Sequence, residues 1–150
     1  MTGGQELVVV GVDGSAESVA ALAWAARYAS ATGARVRALM AWHYPGAVGG
    51  PPIEKAPQSV REQTEQEMRA TLDEAVAKAI PGQPDGVETG LGYGHPAQVL
   101  IDASGEADLL VVGRHGHRAF AGMLLGSVSL HCVTGASCPV VVVRGGDGQP

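Results

Sequence analysis

The chain has 150 residues, of which 45% are apolar, which is enough for one domain with a substantial core. Its formal net charge of −5 argues against a general nucleic-acid binder, because neutralising a phosphate backbone requires a basic face. Residues 1–6 are short and polar, and the apolar run after them is too brief for a signal core or a membrane span. We therefore predict a cytoplasmic protein that does not enter a membrane.

The pattern of the first 42 residues predicts a strand, a helix and a second strand. Residues 7–12 are a β-branched run without apolar–polar alternation, which predicts a strand buried on both faces. Ser15 is placed to cap a helix that continues to about residue 32, where Gly33 ends it. A second strand is predicted over 35–42.

A long segment over 43–57 is rich in proline and glycine and cannot form regular structure; a loop of this length is usually functional or mobile. Ser59 and Glu62 then fit a capping box at the start of a helix whose apolar residues recur every four positions as far as Ile80. Apolar residues alternate over 87–93, which predicts a strand at a sheet edge.

The same patterns predict four more elements: a short helix over 96–105, a buried strand over 109–112, a helix over 127–136 and a strand over 139–143. Strands that alternate with helices imply right-handed crossovers, so we predict an α/β fold with a five-stranded parallel sheet and helices on both faces. We predict one domain over 1–150, with its core over about 6–144 and a flexible tail over 145–150.

The glycine-rich stretch between the fourth strand and the last helix has the composition of an anion site. No Asp or Glu occurs over 109–146, whereas Arg114, Arg118 and Arg144 make this window formally +3. A glycine-rich turn between a strand and a helix whose own residues carry no negative charge is what a phosphate site requires. Its glycines allow close backbone approach, and its N–H groups, with those that begin the helix at Ser127, are suited to phosphates.

Residues at the other strand ends are predicted to meet this loop, because ligands of such sheets bind beyond the carboxyl ends of the strands. Asp13 suits a ribose hydroxyl or a divalent cation on the phosphates, although it also suits a turn or a helix cap. Glu17, in the same helix start, would repel phosphate from that helix. Ala41 and Val112 are small enough to flank a flat base.

The spacing Gly113-x2-Gly116-x9-Gly126-Ser127 matches the ATP-binding signature of the universal stress proteins, G-2x-G-9x-G-(S/T), at every position. Four further blocks resemble the same family, and the resemblance extends over about residues 6–144. These blocks are residues 10–15, 94–96, 107–113 and 138–143.

The resemblance implies a Rossmann-like domain with strand order 3-2-1-4-5 that binds ATP, with Mg²⁺ held through the nucleotide near Asp13. It also implies a homodimer that pairs the last strand, Val140 to Val143. By the family's pattern Ala41 contacts adenine, although the family often has Val at that position. The site residues carried over are Val12, Asp13, Ala41, Val112, Gly113, His115, Gly116, Gly126, Ser127, Val128 and Ser129.

The sequence contains no arrangement that indicates rapid phosphoryl transfer. It has no Walker lysine, and neither Lys55 nor Lys78 lies near the glycine loop. His115 and His117 are interpreted as polar loop residues and not as a permanent metal site. The main hypothesis is a nucleotide-dependent binding module of the stress response, with no catalytic residue assigned and at most slow ATP hydrolysis. The alternatives are binding of AMP or a cyclic nucleotide, a slow ATPase or nucleotidyl-transfer enzyme, and a nucleotide-free dimeric scaffold.

Overall fold

A computed structural model describes residues 4–42, 55–82, 86–117 and 123–145. Strands and helices alternate in the predicted order, and their ends differ from the predicted ones by three residues at most. The elements are β1 (Leu7–Gly11), α1 (Ala16–Thr32), β2 (Arg35–Trp42), α2 (Gln58–Ala79), β3 (Val87–Tyr93), α3 (Pro96–Ser104), β4 (Leu109–Gly113), α4 (Ser127–Gly135) and β5 (Val140–Val143). Most of the loop predicted over 43–57, and the tail after residue 145, lie outside the described residues.

The five strands form one parallel sheet in the order β3-β2-β1-β4-β5, which confirms the predicted fold class. β1 lies at the centre, where Val8 pairs with Val36 of β2 on one side and Leu109 of β4 on the other. Chain order reverses between β1 and β4, so the connections that leave these two strands pass to opposite faces. Such a reversal opens a crevice at the carboxyl ends of the strands.

Each face of the sheet has its own apolar core, because successive strand residues point to opposite faces. Val8 and Val10 pack with α1 and α2 on one face, in a cluster that includes Leu22 and Leu72. On the other face the core packs beneath α3 and α4, and its members are Leu7, Val9, Leu100, Leu110, Val112 and Cys132. Helices on both faces explain why β1 and β4 are nearly continuous apolar runs.

Side-chain caps begin two of the helices. Ser15 Oγ accepts the Ser18 N–H at 3.2 Å, which confirms the predicted cap of α1. His95 Nδ1 accepts the Ala97 N–H at 3.2 Å and caps α3 in the same way. The capping box predicted for α2 was wrong: α2 begins at Gln58 with Pro57 as its N-cap, so Ser59 already lies inside the helix.

No helix in the described ranges is both long enough and apolar enough to cross a membrane.

Burial of the Cys132 side chain, which is fully inaccessible, raises the pKa of its thiol to about 11. A thiol whose pKa is higher in the folded state stabilises the fold below its unfolded pKa and loses that contribution as pH rises. We therefore expect the free energy of unfolding to fall by about 2–3 kcal/mol between pH 9 and pH 11 through this group.

Urea unfolding across this pH range measures the change, with Cys132→Ala for comparison. The variant should be less stable at pH 8 but should show a shallower decline at high pH. Equal declines in both proteins would contradict the assignment.

Candidate functional site

The carboxyl ends of β1, β2 and β4 meet at the crevice, as predicted. Val12 extends β1 between its neighbours, and its N–H donates to the Leu39 carbonyl of β2 at 3.0 Å. The side chains of Val12 and Val112 are buried in the cores on opposite faces, which leaves mainly their backbone groups for a ligand. Ala41 is half-buried near the end of β2, where it pairs with Gly92 of β3.

Asp13 lies in contact with the glycine loop. Its Oδ1 accepts the Ser15 N–H at 2.9 Å, so the side chain does serve as a turn residue. Its Oδ2 occupies the space that a Cβ on Gly116 would need, and His117 Nε2 lies 2.7 Å from the Asp13 carbonyl oxygen. The β1–α1 turn and the loop after β4 therefore close on each other across the crevice.

Packing requires one glycine of the spacing pattern and leaves little room for a side chain at a second. A Cβ on Gly113 would lie 2.9 Å from the backbone carbon and oxygen of Glu17, so the first turn of α1 packs directly on the end of β4. A Cβ on Gly126 would lie 3.1 Å from the Cα of His115, and the Gly126 N–H donates to the Arg114 carbonyl at 2.8 Å. Packing therefore favours glycine at these two positions of the spacing pattern with or without a ligand.

The start of α4 differs from those of α1 and α3, because its N-cap is Gly126 and no side chain caps it. The first-turn N–H groups, which begin at Ser127 and Val128, therefore face no side-chain acceptor of this kind. Ser127 is exposed, whereas Ser129 is buried and its Oγ lies 2.7 Å from the Arg114 carbonyl and 3.0 Å from that of Gly126. Ser129 thus ties the loop to α4, and an exposed hydroxyl is available only at Ser127.

A carboxylate from outside the acid-free window lies beside the glycine loop. The His115 N–H donates to Glu17 Oε1 at 3.2 Å, and Arg114 Nη2 lies 3.8 Å from Glu17 Oε2. A Cβ on Gly145, after β5, would lie 2.7 Å from the same Oε2. Glu17 reaches the loop because α1 begins at the same edge of the sheet as the loop after β4.

The described residues contain no cluster of three His, Cys, Asp or Glu side chains that could hold a metal ion alone. A cation at Asp13 would therefore need ligand oxygens from elsewhere, as the predicted nucleotide-bound Mg²⁺ would have. Arg118, which belongs to the cationic window, lies outside the described residues.

Comparison with known proteins extends over almost the whole chain. Residues 6–144 match the model of the universal stress protein family. A universal stress protein of Mycolicibacterium smegmatis is 38% identical over 138 residues, which are 91% of this chain and 45% of that protein. The chain therefore spans about half the length of the curated relatives it matches.

Solved structures show the same fold. A universal stress protein in complex with cAMP is 29% identical and has a TM-score of 0.69, with 96% of this chain and 100% of that one covered. A family protein from Arabidopsis thaliana with AMP bound has a TM-score of 0.58 at 20% identity and is similar in fold. The alignment covers 97% of this chain and 95% of the Arabidopsis protein.

The two serines of α4 should differ in their effect on stability. Replacing Ser129 by Ala removes the hydroxyl shared by two carbonyls, each of which keeps one backbone N–H partner. We expect a loss of about 1 kcal/mol in the free energy of unfolding. Ser127→Ala is the matched control, and its side chain is exposed, so its change should be within about 0.5 kcal/mol. Chemical denaturation measures both, and equal changes would contradict the linking role of Ser129.

Proposed function

Because the chain belongs to the universal stress protein family, we propose that it binds an adenine nucleotide in the crevice between β1 and β4. The observation that carries the proposal is the α4 N-terminus, which has no side-chain cap and adjoins the glycine loop where the strand order reverses. N–H groups at a helix start bind phosphate through hydrogen bonds and the helix dipole. Asp13 lies against the same loop, at Gly116, and supplies a carboxylate for a ribose hydroxyl.

ATP with Mg²⁺ is the nucleotide we propose, on the strength of the glycine spacing. Ala41 would lie against the base, and Asp13 would face the ribose or the nucleotide-bound Mg²⁺. The phosphates would lie against the loop and the first turn of α4, where Gly116, Ser127 and Val128 would donate backbone N–H groups. Gly113, His115 and Gly126 would line the loop, because the N–H groups of His115 and Gly126 already donate to Glu17 and to the Arg114 carbonyl. Ser129 would act indirectly by holding Gly126 to Arg114. AMP or a cyclic nucleotide is the variant that the cAMP complex of a similar protein supports.

We propose a regulatory binding module of the cytoplasm rather than an efficient enzyme. Rapid phosphoryl transfer needs a positioned nucleophile and concentrated positive charge. Lys78 lies in the last turn of α2, 3.5 Å from Glu74, and Arg114 is paired with Glu17. Each of these two cations lies beside a carboxylate, which reduces the positive charge that it could offer to phosphates. A slow ATPase is the alternative, and turnover measured beside Asp13→Ala would distinguish it from contaminating activity.

Replacing Gly116 by Val tests the site, because the new side chain would displace the Asp13 carboxylate and fill the space beside the loop. We expect loss of nucleotide binding with the fold retained. Gly86→Val is the matched control, since a Cβ at Gly86 meets nothing within 4 Å and affinity should not change.

The measurements are titration calorimetry with ATP and Mg²⁺, and mass spectrometry of nucleotide released on denaturing the purified protein. Unchanged affinity in Gly116→Val would remove Gly116 from the site. The absence both of released nucleotide and of binding at millimolar concentration in the wild-type protein would refute the proposed function.

We also propose a homodimer through β5. In the described sheet β5 pairs with β4 along one edge. The Pro139 carbonyl accepts the Leu110 N–H of β4, and the Val143 carbonyl accepts the N–H of Arg114, which follows β4. Backbone groups alternate in direction along a strand, so those of Val140 and Val142 face away from β4. An apolar edge strand of this kind is a template for a second copy.

Replacing Val142 by Pro should convert the dimer to a monomer, because proline removes an outward N–H and is tolerated on the solvent side of an edge strand. Light scattering after size exclusion measures the molar mass, and circular dichroism checks that the variant is folded. A monomeric wild-type protein, or a folded variant that remains dimeric, would contradict the proposal.

A further inference from the structure

Glu17 is an acidic residue beside the phosphate end of the proposed site. Its side chain is 14% exposed and lies between the loop after β4 and the residues that follow β5. One oxygen accepts the His115 N–H, and the other lies 3.8 Å from Arg114 Nη2 and 3.5 Å from His115 Nδ1. Its carboxylate thus sits beside a cation and a backbone donor that an anionic ligand would otherwise use.

The path from Glu17 to the start of α4 is short. Glu17 bonds the His115 backbone, and the Cα of His115 lies 3.1 Å from the Cβ position of Gly126, the N-cap of α4. The Arg114 carbonyl in turn accepts the Gly126 N–H. Glu17 is therefore connected to the N–H groups proposed to hold phosphate through only two residues, His115 and Gly126. Over this short distance solvent screens the charge of Glu17 only in part.

Two buried nitrogen atoms beside Glu17 are left without a hydrogen bond in the part of the chain that the structure describes. Arg114 Nε and His115 Nδ1 are buried and have no hydrogen-bond partner among the described residues. The guanidinium is thus held beside the loop with a remaining donor, and the carboxylate offsets its charge without occupying all of its N–H groups. The opposite charges of Arg114 and Glu17 therefore offset each other for an anion that reaches the loop.

We propose that Glu17 determines the charge selectivity of the nucleotide site, a role that rests on the proposed nucleotide binding. The carboxylate cancels the Arg114 cation and opposes each phosphate added beyond the first. It therefore lowers the affinity for a triphosphate relative to a monophosphate, and a divalent cation on the triphosphate relieves this opposition. Glu17 acts through charge and need not touch the nucleotide.

A purely structural role for Glu17 makes a different prediction. If the side chain only fixed the loop through the His115 N–H, its removal would lower the affinity for all nucleotides by the same factor. Glutamine separates the two roles, because its side-chain carbonyl can still accept that N–H while the charge is lost. Alanine removes both the charge and the hydrogen bond.

The experiment measures the affinities for ATP and AMP by calorimetry in the wild-type protein, Glu17→Gln, Glu17→Ala and Glu106→Gln. Glu106 is exposed and lies beyond the C-terminus of α3, at the amino edge of the sheet, so its variant matches the change in net charge. Without Mg²⁺, Glu17→Gln should raise the ATP-to-AMP affinity ratio about fivefold at moderate salt. The gain should shrink with Mg²⁺ and with added salt, and Glu106→Gln should leave the ratio unchanged.

The outcomes distinguish this inference from the function on which it rests. If the wild-type protein binds both nucleotides and Glu17→Gln leaves their ratio unchanged, the proposed function stands and the role of Glu17 is refuted. If Glu17→Ala lowers both affinities equally and Glu17→Gln changes neither, Glu17 only holds the loop in place. That result also refutes its role in charge selectivity. If neither the wild-type protein nor Glu17→Gln binds either nucleotide, the proposed function fails and the inference fails with it. Binding of ATP by Glu17→Gln alone would support it most directly.

Discussion

The arrangement of the site depends on one close contact, between the first turn of α1 and the end of β4. Gly113 has no side chain, so the backbone of Glu17 lies where a Cβ would otherwise be. This contact sets the separation of the two segments that leave β1 and β4. It brings Asp13 to Gly116 and the Glu17 carboxylate to the His115 N–H. Because both segments start from buried strands, neither can move far without disturbing the core.

The same contact combines opposing charges at one edge of the sheet. The first turn of α4 presents N–H groups and the positive end of a helix dipole, whereas the β1–α1 turn presents Asp13 and α1 presents Glu17. Arg114 lies between them and is paired with Glu17. A site of this composition can hold a phosphate, but its net field is weaker than that of a loop with an unpaired lysine. This balance is the physical reason to propose binding and release of a nucleotide rather than rapid turnover.

Family membership and geometry support different parts of the proposal. The family match covers residues 6–144, and the fold is shared with proteins that carry cAMP or AMP. Which nucleotide is bound depends on the residues at the crevice. There Ser129 and Gly126 are occupied with each other and with Arg114, so the exposed donors are fewer than the glycine spacing suggests. The match covers 45% of the Mycolicibacterium smegmatis relative, so more than half of that protein lies outside the matched region.

Local patterns in the sequence were sufficient for the fold. Runs such as residues 7–10 are apolar on both faces because both faces are covered, and caps such as Ser15 act over three residues, so both are visible in the chain itself. The start of α2 was placed wrongly because Pro57 serves as its N-cap in place of the Ser59 capping box. The His95 cap was not predicted, since a histidine before a proline is a weak signal.

The sequence by itself determined the element order, the parallel sheet and the edge at which we propose the site, because burial and periodicity are properties of neighbouring residues. Only the tertiary structure decided the charge of that site. Glu17 and His115 are 98 residues apart, and nothing in the local sequence relates them. They meet because β1 and β4 are adjacent and α1 packs on Gly113. The glycine loop has no acidic residue of its own, and the fold places the Glu17 carboxylate beside it.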